Sequence, residues 1–157
     1  MVSREWLKKA ELFQNLGDSQ LDLVWLHSSV QSFPEGSQVF RQGDEADTLY
    51  VLIEGAIELS VKTGEKVDFL TSKVETEGSL FGIPSLIEPF RYNVTATPLK
   101  PSKVLVVDAV HIRKCMEEDP KLGREVMKKL AFIYFNRLNE IRSGVSNFLK
   151  IFRPKGP

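Results

Sequence analysis

Short β-prone segments separated by glycine fill the middle of this chain. Between residues 30 and 108 the segments are rich in β-branched and aromatic residues, as in "TLYVLIEG" and "KVLVV". The glycines between them fall at intervals suited to tight turns, and they are Gly36, Gly43, Gly55, Gly64 and Gly78. Many short strands joined by regular turns are typical of a sandwich or barrel of antiparallel strands. The pattern predicts a mainly β fold.

Helical periodicity is found before this β-rich region, and one short helical segment interrupts the region itself. Leucines recur at helix-like intervals between residues 3 and 30, and Asp18 or Ser19 could cap a second segment, so we expect two short helices there. In "FGIPSLIE", Pro84 suits the first turn of a helix and Pro89 would end it. A short helix is therefore expected between two strands.

After "MEEDP" the pattern predicts a long helix. Asp119 can cap it, Pro120 suits its first position, and about 30 residues at about 1.5 Å each would span about 45 Å. Gly144 favours a kink or break near Ser143. We therefore divide the single domain into residues 1–119, the β-rich part with its N-terminal helices, and residues 120–157, a long helix with a basic tail.

Two apolar stripes run along the predicted helix. The shorter stripe is assigned to the chain's own β domain and comprises Leu122, Val126, Leu130 and Ile133. The longer one has the alternating spacing of a coiled-coil seam and comprises Met127, Ala131, Tyr134, Leu138, Ile141, Val145, Phe148 and Phe152. We assign this seam to the same helix of a second copy in a two-fold homodimer, because it would be a large exposed apolar patch on a monomer. The alternative is a helix buried entirely by its own domain.

Charge is balanced over the whole chain but not along it. The chain has 21 basic and 21 acidic residues, yet residues 120–157 hold nine Lys and Arg against two Glu. A basic tail could contact nucleic acid or an anionic membrane, but we favour a helix lying near its own acidic body. Sequence-specific DNA binding and membrane association are therefore not expected.

Several functional classes lack their sequence signals. No apolar run approaches the about 20 residues that cross a bilayer, and the N-terminus mixes charges into its apolar positions, so we expect a cytoplasmic protein. Cys115 is the only cysteine, and His27 and His111 lack metal-ligand spacing. Neither a nucleophile–base–acid set nor a phosphate-loop lysine is evident. The sequence therefore predicts no enzyme, no metal and no certain cofactor.

The order of elements and one long segment resemble the cyclic-nucleotide-binding domain family. "SFPEGSQVFRQGDEADTLYVLIEGAIEL", residues 32–59, is similar to the family's roll signature, and the resemblance covers roughly residues 7–142. The family includes the effector domains of catabolite-activator-type regulators and regulatory modules of kinases and ion channels. The resemblance implies an antiparallel β-roll or jelly roll, N-terminal helices, a short phosphate-cassette helix and a long C-terminal helix.

The phosphate cassette departs from the family pattern at two positions. Phe81 and Gly82 match the family's opening phenylalanine and glycine, but Ile83 stands where the family's glutamate holds the ribose hydroxyl. Counted without gaps, the family's phosphate-binding arginine falls on Tyr92, and Arg91 reaches that position only if the preceding loop is one residue shorter. Neighbouring strand residues face opposite sides, so either Arg91 or Tyr92 faces the pocket.

The resemblance implies a set of ligand-binding residues and a role. The set is Phe81, Gly82, Ile83, Ser85, Arg91, Tyr92, Asn93 and Tyr134, with Tyr134 or Asn136 as a lid over the pocket. The predicted function is a non-catalytic sensor with a degenerate cassette that signals through the dimeric helix. Its effector would be a cyclic nucleotide or another small anionic molecule. Two alternatives stay open: the effector domain of a transcription regulator without its DNA-binding module, and a scaffold with no ligand.

Overall fold

The computed structural model describes residues 2–63 and 67–151, so Gly64 and Phe152 lie outside the described residues. Two 3-10 helices, Arg4–Lys9 and Glu11–Phe13, precede α1, Asp18–Leu26. The strands are β1 (Ser28–Phe33), β2 (Thr48–Glu54), β3 (Ile57–Thr63), β4 (Val67–Val74), β5 (Leu80–Phe81), β6 (Thr95–Pro98) and β7 (Ser102–Asp108). The 3-10 helix Ile83–Leu86, here called the cassette helix, follows β5, and the chain continues with α2 (Ala109–Glu118) and α3 (Pro120–Ile151).

The seven strands of the described residues form two antiparallel sheets. One sheet has the order β1-β7-β2-β5, and the other has the order β4-β3-β6. The short cassette helix is inserted after β5 at the edge of the four-stranded sheet. The predicted class is confirmed: a mainly β roll carries N-terminal helices, an inserted short helix and a long C-terminal helix.

The central strand β2 of the four-stranded sheet is buried on both faces, whereas the edge strand β1 is largely exposed. Leu49 and Val51 pack in a core with the N-terminal helices, α2 and α3, here called the helical core. Tyr50 and Leu52 point the other way, into the interior of the roll. Because successive strand residues face opposite sides, the continuous apolar run "LYVL" supplies both cores.

The start of α1 differs slightly from the prediction. Gly17 occupies the cap position, so neither Asp18 nor Ser19 is the cap, and the Gln20 side chain accepts a hydrogen bond from the Gly17 N–H at 3.0 Å. An amide side chain three residues on thus satisfies an N–H that has no helical partner.

One continuous helix, α3, runs over 32 residues from Pro120, and the break predicted near Ser143 is not found. Asp119 caps it as predicted, accepting from the N–H groups of Lys121 at 3.1 Å and Leu122 at 3.3 Å. The shorter stripe is buried in the helical core, as predicted. The described residues of the longer seam are exposed on an adjacent side of this helix.

Candidate functional site

Four aromatic side chains fill the roll interior beside the cassette. The rings of Phe40 and Tyr92 stack with centroids 3.9 Å apart, and those of Tyr50 and Phe81 stack at 5.1 Å. Phe40 and Tyr50 join the two pairs at 5.5 Å. Together they form an aromatic cluster in the interior of the roll.

Tyr92 is fixed in this cluster by its hydroxyl as well as by its ring. The side chain is buried, with the residue only 4% exposed, and its hydroxyl donates to the Thr48 carbonyl at 2.7 Å. The same oxygen accepts from the Thr48 N–H at 3.3 Å. Burial raises the pKa of Tyr92 and of Tyr50 above the ordinary value for tyrosine, which extends to higher pH the range over which both hydroxyls keep their protons.

Arg91 lies outside the roll. It is exposed, its backbone bridges Glu45, and its Nη1 donates to the Gly43 carbonyl at 3.1 Å. Since Tyr92 is the next residue and faces inward, the guanidinium points away from the aromatic cluster. The question left open by the sequence is thus answered in favour of Tyr92.

The cassette uses its own polar groups internally. Gly82 has a φ of 74°, and a Cβ there would lie 2.9 Å from Cδ2 of Tyr50 and 3.1 Å from the Thr48 carbonyl oxygen. Ser85 is fully buried, and its hydroxyl donates to the Gly82 carbonyl at 2.7 Å. Ile83 is buried in the helical core rather than in the roll interior. The Ser85 hydroxyl and the Gly82 carbonyl are thus hydrogen-bonded to each other within the cassette.

The predicted ligand-binding residues therefore do not line one pocket. Phe81 and Tyr92 belong to the roll interior, Ile83 to the helical core, and Arg91 and Asn93 to the surface. Tyr134 and Asn136 are exposed on α3. Sequence reasoning did not single out Phe40 or Thr48, although the aromatic and extended character of their segments was visible.

A separate groove lies on the outer side of the cassette, here called the outer groove. It has a volume of about 570 Å³ and is bounded by the cassette, α2 and the first half of α3. Its apolar lining includes Leu86, Ile87, Met116, Leu130 and Tyr134, and its acidic residues are Glu88 and Glu117. Tyr134 thus faces this groove.

Phe90 and Arg113 connect the outer groove to the loop that precedes Arg91. Phe90 has a φ of 55°, and the Arg113 guanidinium lies 3.8 Å from its ring centroid. A cation over an aromatic face is attracted by the ring quadrupole. The contact ties the loop to α2 and holds Phe90 outside the roll while Tyr92 enters it.

Comparison with known proteins gives a consistent picture. A family model described as "Cyclic nucleotide-binding domain" matches residues 30–119. A global nitrogen regulator of Synechococcus elongatus is 28% identical over 125 residues, which are 76% of this chain and 52% of the relative. A CRP-like cAMP-activated global transcriptional regulator of Mycobacterium tuberculosis is 23% identical over 127 residues, which are 81% of this chain and 56% of the relative.

A solved structure extends the similarity to nearly the whole chain. A Geobacter metallireducens GS-15 protein named for cyclic nucleotide binding superposes with a TM-score of 0.79 at 33% identity, covering 88% of this chain and 99% of that one. By contrast, this chain spans about half the length of the curated relatives it matches. Among the described residues, no helix is both long and apolar enough to cross a bilayer.

Proposed function

Because this chain belongs to the cyclic nucleotide-binding domain family, we propose that it is a non-catalytic regulatory module that acts as a homodimer and whose roll is closed by Tyr92. Its membership of a family of regulatory domains, homologous to CRP-type transcription regulators, supports the regulatory role. The single observation that carries the proposal is the Tyr92 ring, stacked on Phe40 and bonded to Thr48 inside the roll.

Admitting a cyclic nucleotide would require displacing this ring. Losing a large aromatic side chain from a core costs about 3–5 kcal/mol, which corresponds to roughly a hundredfold to a few thousandfold in affinity. The ribose hydroxyl would also meet no carboxylate, since Ile83 holds the glutamate position, and an unpaired hydroxyl costs about 1–3 kcal/mol. We therefore propose that neither cyclic AMP nor cyclic GMP binds with the affinity of an effector.

The same contacts argue against an anionic effector held by Arg91 within the roll. Its guanidinium is exposed and already donates to the Gly43 carbonyl. A small molecule that acts through the roll must first displace Tyr92, because the ring of this residue fills the interior of the roll. The module would then respond to a movement of the Tyr92 ring or to the binding of a partner. It would not respond to the concentration of a nucleotide.

The homodimer is supported by the exposed seam of α3. Leu138 is 44% exposed and Val145 is 52% exposed, while Ile141 between them is also exposed. A contiguous apolar stripe of this kind is typical of a protein interface. We propose the seam predicted from the sequence, Met127 to Phe148, as that interface.

A second candidate is the effector part of a transcription regulator. Two curated relatives are named as global regulators, and this chain matches about half of their length. In that role, the two α3 helices of the dimer would determine the distance between any further domains joined to the two chains. We propose the cytoplasm as its location in either case.

Calorimetric titration with cyclic AMP and cyclic GMP tests the closed roll. The unaltered chain is expected to give no binding heat and no thermal shift with either nucleotide. Micromolar binding would overturn the proposed closure. The Tyr92→Ala chain, which vacates the roll, should instead gain binding of a small aromatic probe such as indole. Phe132→Ala is the matched control, because Phe132 is exposed on α3 and lines neither the roll interior nor the outer groove, so its loss should create no such site.

A further inference from the structure

The outer groove faces the side of α3 on which a dimer partner would lie. In the heptad register of the seam, Gly123, Leu130 and Arg137 occupy the position g, on the side of the chain's own body. Leu130 is buried, and Nη2 of Arg137 donates to the Leu80 carbonyl at 2.8 Å. Gly123 and Leu130 both line the outer groove.

The opposite flank of the seam carries exposed residues. Lys128, Phe135 and Arg142 occupy the position e, and all three are exposed, Phe135 to 60%. In a parallel two-stranded coil, a g residue of one helix lies beside the e residue of the next heptad on the other. In such a coil, Gly123 would lie beside Lys128 of the partner subunit, and Leu130 would lie beside Phe135 of the partner subunit.

The chemistry of the outer groove matches these two side chains. Its exposed apolar lining, which includes Ile87, Met127 and Tyr134, is available to an aromatic ring, whereas Leu86 and Leu130 are each only 2% exposed. Gly123 allows α2 to pack closely on α3, because a Cβ there would lie 2.9 Å from the Met116 carbonyl oxygen. The groove also has Glu88 and Glu117, both exposed and acidic, at the level where a lysine would arrive. Opposite charges across an interface favour one register over others.

We propose that the outer groove is completed by the second copy of this chain, with Phe135 of the partner subunit seated against Ile87 of the cassette and Lys128 of the partner subunit beside Glu117. This inference rests on the proposed α3 dimer and adds a contact from each subunit to the other's cassette. The remaining pair, Arg137 with Arg142 of the partner subunit, places like charges together. Its cost is reduced because Arg137 is turned toward the Leu80 carbonyl.

Such a contact would give the dimer a direct connection to the aromatic cluster. Ile87 lies at the end of the cassette helix, and Phe90 and Tyr92 follow within a few residues. A ring inserted against Ile87 would hold this loop in the conformation that keeps Tyr92 inside the roll. The partner's ring would add to the Phe90–Arg113 contact, which already ties this loop to α2 within one chain.

Cross-linking between single-cysteine chains tests the contact. In a Cys115→Ser background, a chain carrying Ile87→Cys is mixed with a tagged chain carrying Phe135→Cys and treated with a short bismaleimide. A heterodimeric cross-link is expected, and neither chain alone should give it. The matched control replaces Phe132, an equally aromatic and exposed residue that points away from the seam, with Cys; it should give no cross-link with Ile87→Cys.

Sedimentation of the chain without cross-linker distinguishes the groove contact from the α3 dimer on which it rests. A dimer that fails to cross-link at 87 and 135, or cross-links equally at 132, overturns the groove contact and retains the α3 dimer. A monomer overturns both. A small apolar molecule retained in the groove of a dimer, detected by native mass spectrometry, also overturns the groove contact.

A double-mutant cycle with reversed charges provides a second test, and its variants are altered only at exposed positions. Lys128→Glu and Glu117→Lys should each weaken dimerisation, and the double variant should recover most of the loss, because the two charges face each other across the interface. Additive losses in the double variant would contradict the placement of Lys128.

Discussion

At the scale of single residues, the step from Arg91 to Tyr92 decides what the roll contains. The two are neighbours on an extended segment, so only one can face inward. Tyr92 gains ring stacking on Phe40 and two hydrogen bonds with the Thr48 backbone, whereas an inward guanidinium would be a buried charge beside apolar rings. Packing therefore places the arginine outside, where the Gly43 carbonyl accepts from it.

Gly82 is the residue on which the shape of the cassette most depends. Substituting alanine forces a side chain into a left-handed conformation, at about 1–2 kcal/mol, and sets its Cβ 2.9 Å from the Tyr50 ring. Gly36→Ala is the matched control, because Gly36 has a φ of 77° and nothing within 4 Å of an added Cβ. We expect Gly82→Ala to lower the urea midpoint clearly more than Gly36→Ala. Equal losses would show that the contact with Tyr50 is unimportant.

The sequence showed that either Tyr92 or Arg91 faces the interior of the roll, but it did not determine which one. Phe81, Gly82 and the missing glutamate at Ile83 were visible in a single segment. The answer depends on Phe40 and Thr48, which lie more than forty residues earlier and meet Tyr92 only in the folded roll. Alternation predicts that one neighbour faces inward; long-range packing determines which one.

At the scale of elements, boundaries were predictable where a local cap exists. Asp119 and Pro120 mark the start of α3 in the sequence and in the structure. Gly144 suggested a break, yet α3 continues through it, because a single glycine costs only about 1 kcal/mol and a long helix can absorb that cost. Near α1 the cap shifted by one residue to Gly17, where the Gln20 side chain supplies the acceptor.

The Asp119 cap should make the stability of α3 depend on pH. Hydrogen bonds from the Gln20 amide and from the Leu122 N–H hold the pKa of Asp119 below its usual value. A carboxylate with a lowered pKa stabilises the fold above its unfolded value of about 3.9, and that contribution is lost as the pH falls through the folded value. Asp119→Ala should therefore lower the urea midpoint at neutral pH.

The comparison with Asp119→Asn isolates the charge. Asparagine keeps an acceptor for the N–H groups, so its midpoint at neutral pH should fall between those of the unaltered chain and Asp119→Ala. The gap between the unaltered chain and Asp119→Asn should close in acid. Glu118→Gln removes an adjacent exposed carboxylate and controls for net charge. A gap that persists unchanged in acid would exclude the charged cap.

At the scale of the whole molecule, the fold separates two cores that share one sheet. The aromatic cluster lies on the inner face of the four-stranded sheet, and the helical core, with the buried stripe of α3, lies on the outer face. Both stripes of α3 were visible in the sequence from their spacing alone. The structure shows the shorter one buried, and the longer one is the surface that the proposed dimer would cover.

A dimer held by that seam should unfold at a temperature that depends on chain concentration, because association stabilises only the folded state. We expect the midpoint of thermal unfolding of the unaltered chain to rise as the chain is concentrated. Leu138→Glu places a charge in the centre of the seam and should remove the dependence, since a buried unpaired carboxylate opposes association. Phe132→Glu introduces the same charge on the same helix but off the seam, so it should keep the dependence. A midpoint that stays constant for the unaltered chain, or that loses its dependence equally in both variants, would contradict a dimer built on this face of α3.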